Sequence, residues 1–374
     1  MHSRFIQLPS ASLSGTGRRG ILRTAHGEIR TPFFMPDATM AAVRGISSGD
    51  VRTLGIEAVV VNAYHLLLRP GSAGIARMGG VHRFMNWAGP ILSDSGGYQV
   101  YSLIHRHPDC GSVSEDGAEF RSPIDGSKHL LTPEQSIDIQ CDLGVDMMVC
   151  LDDPRPNDAP HTELVEAVER TIRWARRCKD RYEERVRDVP DDRRPLLFGV
   201  IQGGMDLDLR RRCTEALVDI GCDGYGFGAR HLDGEGNFLE DVLRETASSI
   251  PEDALRFALG VGTPRDIVRC HALGWDMFDC VIPTREGRHG RAFVRNPGAS
   301  LLEAFYETMN LSGERFREDQ SMIDEFCDCE ACGGGFSRGY IRHLLANKDP
   351  LGSRFIAMHN LRFYAKLLEE LRGE

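Results

Sequence analysis

Eight short runs of apolar and β-branched residues recur along the chain: Thr31–Ala38, Ile56–Tyr64, Pro90–Asp94, Val145–Asp152, Leu196–Gln202, Tyr225–Ala229, Arg256–Val261 and Trp275–Ile282. Most are separated by segments whose apolar positions repeat at helical spacing. Val165, Val168, Ile172 and Ala175 form one such stripe; Leu209, Cys213, Ala216, Leu217 and Ile220 form another. Runs bounded by Gly and Pro that alternate with helices predict parallel strands. Helix starts are marked as well. Thr132-Pro133-Glu134-Gln135 has the layout of a capping box with Pro at the first helical position, and Thr263-Pro264-Arg265-Asp266 repeats it with Asp. Asp206 is placed to cap the second stripe, which stops at Gly221.

Eight strand–helix units favour an α/β fold of the closed (β/α)8 barrel type over an open doubly wound sheet, and no glycine-rich dinucleotide fingerprint follows the first run. Beyond about residue 295 the pattern changes to few strands, a cysteine cluster and an amphipathic C-terminal helix. The expected division is therefore a barrel over 1–295 and a C-terminal unit over 296–374 that completes it.

The apolar runs end in polar residues almost every time. Run two ends at Asn62-Ala63-Tyr64-His65, and run three at Ser93-Asp94-Ser95-Gly96-Gly97-Tyr98-Gln99. Run four ends at Asp152-Asp153 and run five at Gln202-Gly203-Gly204; run six is glycine-rich, and run eight contains Asp279. A single Asp after a strand is usually a cap or turn former. Carboxylates and amides at several strand ends converge on one mouth, where barrel enzymes keep their chemistry. Such a mouth suits a polar, planar ligand. A carboxylate can accept two parallel hydrogen bonds from the amidine edge of guanine, and an amide or backbone N–H can donate to the neighbouring carbonyl. A further carboxylate can attack an anomeric carbon to give a glycosyl ester, with no need for ATP or a redox cofactor. Asp276 and Asp279 have opposite strand alternation, and parity alone does not choose between them.

Composition narrows the class. The 374 residues are 41% hydrophobic and 27% charged, enough for a large core. No apolar run approaches the roughly 20 residues that cross a bilayer, and Met1 to Gly15 lacks a secretory apolar centre, so a soluble cytosolic protein is expected. The net charge of −10 argues mildly against nucleic acid, yet arginines gather at Arg285, Arg288, Arg291 and Arg295, and again at Arg338 and Arg342. Of 11 cysteines, only Cys327, Cys329 and Cys332 cluster, which points to a metal site rather than a disulfide framework. Thiolates suit tetrahedral zinc with a fourth ligand, and a closed site of four protein ligands is structural.

Four segments are specific: Ser93–Gln99, Gly199-Val200-Ile201-Gln202-Gly203-Gly204, Gly260-Val261-Gly262, and Met277-Phe278-Asp279-Cys280-Val281-Ile282-Pro283-Thr284-Arg285. In this order they resemble the tRNA-guanine transglycosylase (queuine tRNA-ribosyltransferase) family, from about residue 15 to the C-terminus. The resemblance implies an irregular barrel with a zinc-binding insertion. It implies exchange of guanine at the wobble position of tRNA carrying a GUN anticodon for a free 7-deazaguanine-type base, through a covalent intermediate. Asp279 matches the family nucleophile and Asp94 the general acid/base. Asp152 matches the residue that grips the amidine edge, Gln202 a carbonyl contact, Gly228 and Ala229 the backbone donor, and Tyr98 a stacking aromatic; Asn62 joins this base-binding set. Arg285 and Arg288 match readers of the flanking uridines. His359 matches the fourth zinc ligand, with His343 as its competitor. A cytosolic homodimer is implied.

The chain departs from the family pattern at Asp37, Ala63, Pro154, Arg230 and His231. The last two add bulk and charge where the 7-substituent would lie, which puts the identity of the incoming base (aminomethyl, cyano, queuine) in question. A silent tRNA-binding subunit of a heterodimer and a deazapurine transglycosylase acting on DNA are the competing readings.

Overall fold

The computed structural model describes residues 4–9 and 17–374. All eight apolar runs become strands of one eight-stranded sheet: β1 Phe33–Pro36, β2 Val59–Asn62, β3 Ile91–Asp94, β4 Met147–Val149, β5 Leu196–Ile201, β6 Gly224–Phe227, β7 Leu255–Ala258 and β8 Met277–Cys280. Every neighbouring pair is parallel, in the order β1-β8-β7-β6-β5-β4-β3-β2. The ring closes just past the end of β1, where Asp37 bridges Val60 in parallel and the Ala38 N–H donates to the Val60 carbonyl at 2.7 Å.

Burial on both sheet faces explains why the strands read as continuous apolar runs. Met35, Val60, Leu92, Val149, Val200 and Met277 belong to one buried cluster inside the barrel. Their neighbours Phe34, Val61, Met148, Ile201 and Phe278 belong to a second cluster between sheet and helices. This alternation fixes which side chains at the strand ends point inward.

The helix signals correspond to real caps. Thr132, Asp206 and Thr263 cap the helices Pro133–Leu143, Leu207–Ile220 and Pro264–Ala272 through their side chains, and Gly221 ends the second in a left-handed conformation. The stripe predicted for the helix His161–Val186 is displaced. Val168 and Ala175 are buried, but Leu164, Thr171, Trp174 and Cys178 complete the inner face, and Val165 and Ile172 lie at its margin.

Two antiparallel sheets have no counterpart among the sequence expectations. Phe5–Leu8, Arg19–Thr24 and Gly27–Thr31 form one, whose Phe5, Leu22 and Ile29 join the interior cluster and stopper the N-terminal end of the barrel. Gly111–Val113, Ala118–Arg121 and Lys128–Leu131 form the other, between β3 and β4. Their strands alternate polar and apolar over only a few residues, too short for a clear period.

The last helix, Pro350–Arg372, packs on the helix Ile282–Arg288, on β1 and on the strand Arg291–Arg295, which pairs with Tyr306–Asn310. It is not simply amphipathic: residues 355–361 are all buried. One side lies on the barrel and the other under the cysteine-bearing segment, so no face of its middle meets solvent. Gly287 permits the close crossing, because a Cβ there would lie 2.5 Å from the Ala357 nitrogen. Asn360 fastens the junction, donating to the carbonyls of Pro283 and Arg291 and accepting from the Phe293 N–H, each at 2.9 Å.

Candidate active site

Parity brings Asn62, Asp94, Gln202 and Asp279 into the barrel mouth. Each lies two residues beyond an interior side chain of its strand: Val60, Leu92, Val200 and Met277. Asp276 is different. It precedes β8 at the opposite end of the barrel, fully buried, accepting from the Arg256 N–H at 2.9 Å and facing Arg18 at 3.5 Å. The ambiguity left by strand alternation is thus resolved by packing, with Met277 and Asp279 on the inner face.

The mouth is held by short polar contacts. Asn62 donates to the Asp94 carboxylate at 2.8 Å while its own carbonyl caps the helix Ala63–Leu68. The Gly260 N–H donates to Asp279 at 2.8 Å. Gln202 donates to Asp152 at 2.7 Å, and both are buried.

Three carboxyls are driven towards the neutral form. Enclosure in the mouth pushes Asp279 up to about 7 against the Gly260 hydrogen bond, with Asp94 and Asp37 adding repulsion. Asp152 is likewise pushed up to about 7, first by burial and then by Asp94 and Asp153, against the pull of Gln202. Asp94 is raised by burial despite hydrogen bonds from Gly96, Gln99 and Ser95. Carboxyls that resist ionisation at neutral pH are suited to moving protons or to accepting them late.

One wall carries a free backbone donor and an aromatic. The Gly228 N–H is already given to the Ile201 carbonyl at 2.9 Å, whereas Ala229, at φ 69°, makes no backbone hydrogen bond among the described residues. Of the two, only the Ala229 N–H is left to meet an acceptor from outside the chain. Gly228 serves by lacking a side chain: a Cβ would sit 2.5 Å from the Gln202 amide nitrogen. Tyr98, on the first turn of the helix Gly97–Arg106, is 57% exposed and free to cover a flat ligand.

The cysteine cluster gathers away from this mouth. Ligand atoms of Cys327, Cys329, Cys332 and His359 all lie within 4.8 Å of one another. The His359 Nδ1 stands 3.8 Å from the Cys329 sulfur and 3.5 Å from that of Cys332, while Nε2 lies 2.7 Å from the Phe293 carbonyl. With Nε2–H donated to that carbonyl, the Nδ1 lone pair faces the sulfurs, the usual second-shell arrangement of a metal histidine. A tetrahedral ion with bonds of about 2.0–2.3 Å requires sulfur–nitrogen edges of about 3.5 Å, so the donor set fits a structural metal. His343 is exposed and is not part of this group.

A profile described as "Queuine tRNA-ribosyltransferase" matches residues 12–374. The chain belongs to this family. Curated members bearing the same name include one from Halothermothrix orenii, 42% identical across 95% of this chain and 89% of its own length. Others come from Solidesulfovibrio magneticus, at 40% identity across 96% and 90%, and Methylacidiphilum infernorum, at 42% across 95% and 91%.

Within this member of the queuine tRNA-ribosyltransferase family, the arginines divide into two groups. Arg285 and Arg288 lie on the helix that follows β8, and Arg288 is driven below its usual range by burial and by the charges of Arg44 and Arg285. Arg44, which the sequence reading did not single out, shares with Arg288 a cleft of about 320 Å³ against the start of the last helix. Arg291, Arg295, Arg338 and Arg342 are tied to Glu286, Glu370, Asp319 and Glu314, and Arg285 also approaches Glu286, at 3.7 Å. Arg338 and Arg342 also anchor the loop 313–323 by donating to the carbonyls of Ile323 and Gly313. No helix of the described residues is long and apolar enough to cross a membrane.

Proposed function

We propose that this chain is a tRNA-guanine transglycosylase working through a covalent Asp279–ribosyl intermediate. An Asp279 oxygen attacks C1′ of the wobble nucleotide as the C1′–N9 bond breaks, and guanine departs with the bonding pair after taking a proton at the mouth. Asp94 is the proton donor in that step. In the second half, N9 of the incoming 7-substituted 7-deazaguanine attacks C1′, its proton passes to Asp94, and the Asp279 carboxylate is released. Asp152 grips the ring N–H and exocyclic amine, Gln202 and the Ala229 N–H serve the carbonyl, Asn62 holds Asp94, and Tyr98 stacks on the base. Arg285 and Arg288 read the uridines beside the target.

The observation that supports this most strongly is the meeting of two raised carboxyls, Asp94 and Asp279, on inward positions of β3 and β8 with the Asp152–Gln202 pair beside them. A retaining displacement needs one nucleophilic carboxylate and one proton carrier. The family name supports the choice of tRNA and base. Cys327, Cys329, Cys332 and His359 hold a structural zinc, whose thiolate-rich, closed donor set leaves no open position for substrate. The partners on this reading are tRNA with a GUN anticodon and a free deazaguanine-type base, and the working form is a cytosolic homodimer.

The incoming base carries a 7-substituent other than aminomethyl, with direct salvage of queuine as one form. Arg230 is exposed at the rim after β6, and His231 is held 3.3 Å from Asp266, so Arg230 adds a cation and both add bulk at the place where the substituent would lie. Turnover with the aminomethyl, cyano and queuine bases tests this; use of the aminomethyl base alone would sink it.

The central experiment mixes the protein with GUN-anticodon tRNA and a deazaguanine-type base and runs a denaturing gel. A slow protein–RNA adduct that disappears in Asp279→Asn is expected. Binding of the tRNA without any adduct would favour a silent subunit, and neither binding nor adduct would turn attention to DNA.

A further inference from the structure

Behind the mouth lies a cation that the proposed chemistry does not touch. Arg210, on the first turn of the helix Leu207–Ile220, is 1% exposed. No carboxylate pairs with it among the described residues. Its guanidinium instead donates to three backbone carbonyls: Nε to Gly204 at 2.7 Å, one terminal nitrogen to Ile201 at 3.3 Å, and the other to Gly228 at 3.1 Å. It also lies over the Phe227 ring, 4.0 Å from the centroid. Burial without a counter-charge pushes its pKa down to about 9.

Those carbonyls belong to two different strand ends. Ile201 and Gly204 flank Gln202 and Gly203 at the end of β5; Gly228 directly precedes Ala229 at the end of β6. Gly203 leaves room for the start of the Arg210 helix and for the arginine stem, since a Cβ there would come within 2.8 Å of the Arg210 backbone nitrogen and 2.9 Å of its Cγ. A planar fork with donors on three nitrogens reaches acceptors spread over two strand ends from fixed directions, whereas a lysine ammonium offers its three donors from one nitrogen. Burying a charge in this way is costly unless its hydrogen bonds are satisfied.

We infer that Arg210 is a positioning residue for base recognition: it locks the ends of β5 and β6 together and so sets the Gln202 amide and the Ala229 N–H at the separation the base carbonyl requires. Arg210 makes no contact in the mouth, and its effect passes through these two donors. The Arg285 side, where tRNA flanking nucleotides would lie, is built on β8 and the last helix and does not depend on it.

The inference rests on the proposed base exchange, and its test separates the two. Incorporation of labelled guanine into tRNA is measured for the wild type, Arg210→Met and Arg210→Lys, with Michaelis constants for guanine and tRNA determined separately. Loss of the fork is expected to raise the guanine constant on the order of tenfold or more while leaving the tRNA constant within about twofold. Arg210→Lys is expected to fall between wild type and Arg210→Met, and carries the test alone if the methionine variant does not fold. A guanine constant unchanged in the variants overturns the inference, as does a rise in both constants that parallels a loss of thermal stability. Absence of exchange by the wild type would overturn the proposed function, and this inference with it.

Discussion

The amide of Gln202 is hydrogen-bonded to the carboxyl of Asp152, at 2.7 Å, across the adjacent ends of β5 and β4. The group assigned to grip the base edge is therefore engaged before any base arrives. An incoming amidine has to displace that amide, which then becomes free to serve the carbonyl, and it has to meet an ionised carboxylate. Because Asp152 is pushed up to about 7, the fraction ready to bind changes most around neutrality. We expect kcat/KM for the free base to climb as pH rises towards and past 7.

The same elevation has a stability consequence of opposite direction. A carboxyl whose folded pKa exceeds its unfolded value favours the folded state below the unfolded value, and that contribution is lost as pH rises through the folded one. For Asp152 the window runs from the ordinary carboxylate value of 3.8 to about 7. Asp152→Asn should therefore be more stable than the wild type at pH 8, by on the order of a few kcal/mol, and melt higher. The advantage should vanish near pH 4, and base exchange should be lost at both. Thermal melts at the two pH values check it; an Asn variant less stable at pH 8 would contradict the assignment of Asp152 as a strained site carboxyl.

Asp276 and Asp279 sit three residues apart, and their variants should fail in different ways. Asp279→Asn should keep its fold and lose at least about 10³-fold in turnover, as expected for removal of a nucleophile. Asp276→Asn uncovers Arg18 and Arg256 at the barrel base and should cost roughly 3–5 kcal/mol of stability. What remains folded should turn over normally. Denaturant unfolding and single-turnover rates on both variants distinguish the two; loss of turnover in a stable Asp276→Asn protein would contradict this division.

Removal of the metal should be felt far from the metal. His359 connects the cysteine segment to the Phe293 carbonyl, and its neighbour Asn360 holds the helix that carries Arg285 and Arg288. Metal analysis should find one zinc per chain. Chelation, or His359→Ala, should lower the melting temperature and weaken tRNA binding while leaving guanine binding by the folded fraction little changed. A metal-free protein with unaltered melting would contradict a structural role.

Arg44 and Arg288 face one cleft with Arg285 nearby, and like charges held together favour an anionic partner. Arg44→Ala should weaken tRNA binding, and the slope of log affinity against log salt should fall by about one. The Michaelis constant for the base should not move. An unchanged salt slope would assign Arg44 to the surface alone.

The barrel was legible because its strands are buried on both faces and because their polar ends interrupt apolar runs abruptly. The metal trio was legible from spacing. Arg210, Asn360 and Arg44 were not, since each acts on groups that become neighbours only when the ring closes; a lone arginine on a helix reads as solvated. The same holds at the barrel base, where His26 and His82 stack with ring centroids 3.6 Å apart over the shared Asp146 carboxylate. Nothing in three positions so widely spaced announces that they meet. The choice between Asp276 and Asp279 needed only one further fact, the inward side of Met277, which packing supplies and periodicity does not.

The first barrel strand and the last helix are also joined directly: the Arg372 guanidinium donates to the Pro32 carbonyl at 3.0 Å, across 340 positions of chain. During ribosomal synthesis β1 emerges first and its cover emerges last. An apolar strand is thus left without its partner for most of the elongation time, and contacts of such long sequence separation form slowly. The nascent polypeptide holds every residue of the barrel mouth before the helix that covers β1 exists.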